Sequence, residues 1–140
     1  MKGLLLKVGA FALLLPCAFA EEQPQQEGLV KKQFARVVAS GAKQRIGFLH
    51  AVHPDCTASG DVTPRVTKQP EHGTVETAAT TNYPTYPKEN IRVKCNEHKV
   101  KGMQINYKSA EKYTGNDEFD LLVLFPGGMA WEIHYDVSVR

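Results

Sequence analysis

The sequence predicts an all-β domain, an antiparallel two-sheet sandwich of about seven short strands braced by one disulfide. Three observations point there. From Trp131 to Arg140 apolar and polar residues alternate: Trp131, Ile133, Tyr135, Val137 and Val139 against Glu132, His134, Asp136, Ser138 and Arg140. That is the period of a strand with one face in a core. Turn-forming Gly, Pro, Asn and Asp recur at short intervals, with no convincing helix between them. Two cysteines, Cys56 and Cys95, stand in a chain that opens with an export signature.

The chain of 140 residues begins MKGLLLKVGAFALLLPCAFA and turns abruptly polar at EEQPQQEG. Lys2 and Lys7 supply a basic start, Val8 to Leu15 an apolar run, and Ala18-Phe19-Ala20 an A-x-A site. This pattern predicts a signal peptide over residues 1–20, cleaved between Ala20 and Glu21. The apolar run falls short of the ~20 residues that span a bilayer, and no later segment is long and apolar enough. Leu14-Leu15-Pro16-Cys17 faintly resembles a lipoprotein box, but Pro16 stands where a small residue is needed. Residues 21–28 read as a mobile tail, leaving 29–140 as one folded domain.

Removing the leader changes the totals. The whole chain carries 17 basic and 15 acidic residues; without Lys2 and Lys7 the mature part has 15 of each. A neutral domain exerts no general pull on nucleic acid or on an anionic membrane. Cys17 also leaves, and the remaining Cys56 and Cys95 read as a disulfide in an oxidising compartment. The bridge closes a loop of about 40 residues, worth roughly 4 kcal/mol on the chain-entropy model. No C-x-x-C spacing supports a reactive or metal-binding thiol pair.

Along the chain, Leu29 to Ser40 fits two periods. Phe34, Val37 and Val38 have helical spacing, but the stretch also alternates loosely, and the β character of the later segments favours a strand. Arg45 to His53 puts Ile46, Phe48, His50 and Val52 on one face and Gly47, Leu49, Ala51 and His53 on the other, which predicts a central strand ended by Pro54-Asp55. Val62 to Thr67 and Thr74 to Thr77 are strands around the turn Gln69 to Gly73. Asn82 to Asn90, with its YPTYP, is a long irregular connection, and Ile91 to Cys95 a short extended piece. Val100 to Tyr107 is a strand, Glu111 to Asp117 a turn-rich link. Phe119 to Phe125 and Trp131 to Val139 form a terminal antiparallel hairpin around Pro126-Gly127-Gly128.

Two segments carry a resemblance. QPEHGTVE, with INYKSAEKYTGNDEFDLLVLFPGG after it, resembles the Ig-like, cadherin-like repeats of bacterial secreted proteins. The matching positions are Pro70, Gly73 and Val75, then Tyr107, then Gly115, Asp117 and Phe119, then the strand Trp131 to Val139. The resemblance covers roughly residues 45–140 and implies an Ig-like sandwich. It gives Gly73 and Gly115 turns with positive φ, Asp117 a capping role within its own turn, and Tyr107 and Phe119 places in the core. The family's tandem arrays and acidic calcium clusters do not carry over: this is one copy, without a D-x-D-x-D cluster and with an added cysteine pair.

Chemistry is sparse. There is no G-x-S-x-G, H-E-x-x-H, P-loop or G-x-G-x-x-G. His50 and His53 are three apart, so on a strand they point to opposite faces and form no two-histidine clamp. His53 and Asp55 at the strand exit are the remaining metal candidates, with a histidine from elsewhere. Glu132, His134 and Asp136 share the polar face of the last strand, where plain surface is the commoner explanation. Tyr83 and Tyr86 form a recognition patch or pack their loop down. The sequence thus predicts an exported, monomeric, non-catalytic Ig-like module of the periplasm or cell exterior. It has a binding or structural role toward a protein or cell-envelope partner, with no cofactor, no nucleic acid and no membrane span in the mature chain. The alternative is a periplasmic metal-binding protein using surface histidines.

Overall fold

The computed structural model describes residues 28–140. The expected signal peptide, its cleavage site at Ala20 and Glu21, Cys17 and the tail up to Glu27 lie outside the described residues. Seven strands form: β1 (Leu29–Val38), β2 (Lys43–His50), β3 (Thr63–Lys68), β4 (Gly73–Asn82), β5 (Val100–Ser109), β6 (Gly115–Leu124) and β7 (Ala130–Val139), with a 3-10 turn at Val93–Glu97 between β4 and β5. They make a β-sandwich of a four-stranded sheet, β1-β7-β6-β3, and a three-stranded sheet, β2-β5-β4. Among the described residues no helix is long and apolar enough to cross a membrane.

Every pairing is antiparallel except that of β1 with β7. Parallel neighbours need a long crossover. Here nearly the whole domain separates the two strands, so the connection imposes no strain. Leu29 to Ser40 is accordingly a strand.

The core lies where the inner faces meet. Ile105 and Tyr107 of β5 face Phe119, Leu121 and Val123 of β6 and Ile133, Tyr135 and Val137 of β7, all buried. Phe119 stacks on Tyr135 with centroids 4.8 Å apart and lies 6.2 Å from Tyr107. The alternation read along the last two strands is what fills this layer. They pair as a hairpin in the register Gly115↔Val139 to Leu124↔Ala130.

Four expectations need correction. First, β2 is an edge strand, not a central one. A bulge between Arg45 and Gly47 shifts its register against β5, so Ile46 and Leu49 are both buried although three apart. A one-residue insertion resets a period of two. β2 reads apolar on both faces because the loop after β4 covers its outer face with a second small core of Val52, Cys95 and Val100, against which Phe48, Cys56 and Tyr86 pack.

Second, Ile91 to Cys95 is not extended. Asn90 Oδ1 accepts from Arg92 N at 2.8 Å, and Cys95 N donates to Arg92 O at 2.8 Å, so an Asn-initiated turn runs into the 3-10 turn. Third, Gly73 has no positive φ; it is needed because a Cβ there would lie 2.6 Å from the Tyr107 hydroxyl and from the Lys108 carbonyl oxygen. Gly115 does take positive φ, 141°. Fourth, Asp117 caps a distant turn as well as its own. Its carboxylate accepts from the backbone N–H of Glu71 and His72, each at 3.0 Å, and of Glu118 at 3.0 Å. The β3–β4 connection is thereby clasped to the start of β6.

The disulfide Cys56–Cys95 is present, with Cα atoms 5.3 Å apart and a sequence separation of 39. It ties the turn after β2 to the 3-10 turn and so pins the covering loop onto the three-stranded sheet.

Candidate functional site

The strand exit after β2 is a closed turn. His53 N donates to Thr57 O at 2.8 Å and Cys56 N to His53 O at 2.9 Å. Asp55 Oδ1 accepts from Thr57 N at 3.1 Å and from Thr57 Oγ1 at 2.7 Å, which holds its carboxyl below the usual range. Cys56 takes a positive φ of 72° at the apex. His53 and Asp55 are exposed. Among the described residues they belong to no trio of ligand-bearing side chains close enough to share a metal ion.

His50, the other histidine of this stretch, sits in different surroundings. It stacks on Phe48 at 5.3 Å and meets Tyr86 edge-on at 5.2 Å. Its Nδ1 is buried without a hydrogen-bond partner. Burial holds the imidazole below its usual pKa, with the Phe48 backbone acting against it. Phe48 lies this close to the sheet because Gly102 faces it: a Cβ there would come within 2.7 Å of the Phe48 ring and closer still to the Leu49 carbonyl oxygen.

Beside these residues the sandwich is open. Two adjoining hollows of about 390 and 430 Å³ flank the free edge of β2 and share Phe48, Leu49, His50 and Trp131. One wall comes from the covering loop. Asn96 fixes Tyr86 by accepting from its N–H at 2.8 Å and donating to its carbonyl at 2.9 Å, and Arg92 Nε donates to Val52 O at 2.8 Å. The other wall is the β6–β7 hairpin, where Phe125 packs on Trp131 at 4.7 Å. Lys32 stands 5.4 Å above the Trp131 ring. At the far end Arg36 Nε caps the bulged carbonyl of Ile46 at 2.8 Å and lies over Phe34 at 5.1 Å. The lining is aromatic and cationic and includes no carboxylate. A larger depression of about 620 Å³ near Asp117 is lined by charges of both signs and lacks that character.

The sequence leaves open whether Tyr83 and Tyr86 form a patch or pack their loop, and the structure divides them. Tyr86 is packed against His50, whereas Tyr83 is 50% exposed with Lys99 5.7 Å from its ring.

A second cluster lies on the outer face of the four-stranded sheet. Strand register lines Gln33, His134, Asp120 and Lys68 in one row across β1, β7, β6 and β3, and Asp136 beside Glu118 in the next. His134 Nδ1 bonds Asp120 Oδ1 at 2.5 Å; its Nε2 lies 3.3 Å from Asp136 Oδ1 and 3.7 Å from Glu118 Oε2. The Asp120 bond, helped by Asp136, raises the imidazole's pKa, while partial burial opposes it. Of the face-sharing trio read from sequence, His134 and Asp136 stay together. Glu132 instead pairs with Lys31 at 3.6 Å, and Glu118 and Asp120 of β6 take its place. Folding the two last strands symmetrically about Gly127 brings these residues together, a signal available in the sequence. His72, also exposed, stacks on Tyr113 at 4.1 Å.

No family model matches the chain, and no curated protein matches it. The solution structure of amebosin is similar over 79% of this chain and 97% of its own, at 13% identity and a TM-score of 0.41, a likeness too loose to carry an argument.

Proposed function

We propose that the chain is an exported, non-catalytic Ig-like module that binds a small ligand with a planar apolar body and a negative group in the cleft beside β2. The observation that carries this reading is the lining: Phe48, Tyr86, Phe125 and Trp131 with Arg92, Arg36 and Arg45 around them and no carboxylate among them. Binding sites of this kind are largely apolar hollows of about 300–1,000 Å³ with a few placed polar groups. Cationic rims favour anions.

The Ig-like part is supported by strand order. Numbered A to G, such sandwiches place B, E and D in one sheet and G, F and C in the other; here β2-β5-β4 and β7-β6-β3 follow that order. Export is supported by the disulfide, which persists in oxidising compartments, together with the leader pattern at residues 1–20.

Calorimetric titration with 2-naphthoate and its neutral amide tests the reading. The carboxylate binds at a single site, the amide at least tenfold more weakly, and Arg92→Gln removes the difference. Equal binding of both compounds, or none at millimolar concentration, contradicts it.

A further inference from the structure

We propose that Glu118, His134 and Asp136, on the outer face of the four-stranded sheet, form a binding site for a divalent transition-metal ion of the zinc class. This site is separate from the cleft. One ligand atom from each of the three side chains lies within 4.8 Å of the other two, and His134 Nε2 is near both Asp136 Oδ1 and Glu118 Oε2. Ligands at the ordinary zinc distances of about 2.0–2.1 Å stand about 3.3 Å apart around a tetrahedral ion. The separations of 3.3 and 3.7 Å from Nε2 are already close to that. The remaining adjustment falls to side chains on an accessible face.

The second argument is how these atoms are aimed. Each of the three ligands is gripped from behind through its other polar atom. Asp120 takes His134 Nδ1. Gln33 Nε2 donates to Asp136 Oδ2 at 2.7 Å, leaving Oδ1 toward the histidine. Lys68 pairs with Glu118 Oε1, leaving Oε2 toward the same point. With Nδ1 donating to Asp120, a neutral imidazole presents its Nε2 lone pair to the space that the two free carboxylate oxygens face. Three acceptors converging on one point want a cation there. The carboxylate–histidine–metal arrangement is the usual way a protein fixes a ligand tautomer and ring plane.

The donor set also indicates the ion. One imidazole and two carboxylates on a rigid sheet suit zinc, with water completing the coordination, better than calcium, which takes six to eight oxygens. The three ligands come from two paired strands, β6 and β7, and their supports Gln33 and Lys68 from β1 and β3 on either side, in a register fixed by the buried opposite face. The face cannot slip without exposing the core.

The test is zinc titration of EDTA-stripped full-length mature protein, monitored by calorimetry and by long-range 1H–15N spectra of the histidine rings. One zinc per chain is expected, with the His134 Nε2 signal moving and those of His50, His53, His72 and His98 unchanged. His134→Asn abolishes binding, and Glu118→Gln and Asp136→Asn each weaken it at least tenfold. Asp120→Asn, which leaves all three ligands in place, weakens it about 10- to 100-fold. His53→Ala leaves affinity unchanged. Circular dichroism and denaturation midpoints of each variant separate lost ligation from lost folding. No binding at millimolar zinc overturns the proposal. So does binding that survives the substitutions in the folded variants, or a shift at another histidine's ring in place of His134.

Discussion

Tyr107 Oη donates to Asp117 Oδ2 at 2.7 Å across the interior, joining β5 of one sheet to β6 of the other. Tyr107 is fully buried and Asp117 nearly so. The same carboxylate holds the backbone N–H groups of Glu71 and His72, so one side chain fastens both sheets and the connection between them. Removing the phenol leaves Asp117 with backbone donors; removing the carboxylate leaves buried donors unpaired. Tyr107→Phe is expected to cost about 1–2 kcal/mol and Asp117→Ala about 3 kcal/mol or more in urea denaturation. An Asp117→Ala protein within about 0.5 kcal/mol of the parent, the range of an ordinary surface change, contradicts the clasp.

The phenols give a pH prediction. Burial pushes Tyr107 and Tyr135 above the usual tyrosine range, Asp117 pushes Tyr107 further, and Tyr86 is raised by burial beneath its loop. The folded state keeps these protons while the unfolded chain releases them near pH 10. Stability therefore falls as pH rises above about 10. Absorbance at 295 nm should show fewer than the chain's five tyrosines ionising near pH 10, with the rest ionising as the protein unfolds. One step for all five with circular dichroism unchanged refutes this.

His50 has the opposite sense. Its lowered pKa means that the folded protein holds the ring neutral while the unfolded chain takes up a proton near pH 6.5. Its contribution is lost as pH falls below about 6.5. Comparing wild type with His50→Leu at pH 7.5 and 5.5 isolates it. The wild type should lose more stability on acidification than the variant, and equal losses count against a buried neutral ring.

Reduction of Cys56–Cys95 frees the covering loop and should remove roughly 4 kcal/mol, lowering the melting temperature by about 15 °C or more. An unchanged melting temperature, with both thiols shown free, rules out the staple's stabilising role.

The fold was largely legible because the deepest layer alternates cleanly: Phe119, Leu121 and Val123 face Ile133, Tyr135 and Val137, and a period of two needs no tertiary information to be recognised. The phase of β2 was not legible. The bulge between Arg45 and Gly47 leaves no composition signal, and the loop that covers Phe48 and His50 comes from roughly 40 residues further along. Gly73 looked like a turn glycine, but its role depends on where the Tyr107 ring lands. The cleft was invisible for the same reason, since Tyr86, Arg92 and Trp131 meet only through the disulfide and the sheet packing. The His134 cluster was half legible: its own strand supplied His134 and Asp136, and the partners on β6 required the hairpin register.

The central claim, that the cleft beside β2 is a binding site for an anionic planar ligand, is tested most directly by 1H–15N spectra of the labelled protein titrated with 2-naphthoate. Trp131 is the chain's one tryptophan, so a single indole signal reports on the cleft wall. The expected result is that this signal and the backbone signals of Phe48–Val52, Tyr86, Arg92 and Phe125–Trp131 move together along one saturating curve, while those around His134 stay still. Shifts that leave the Trp131 indole unmoved, or that spread evenly over both sheets, contradict it.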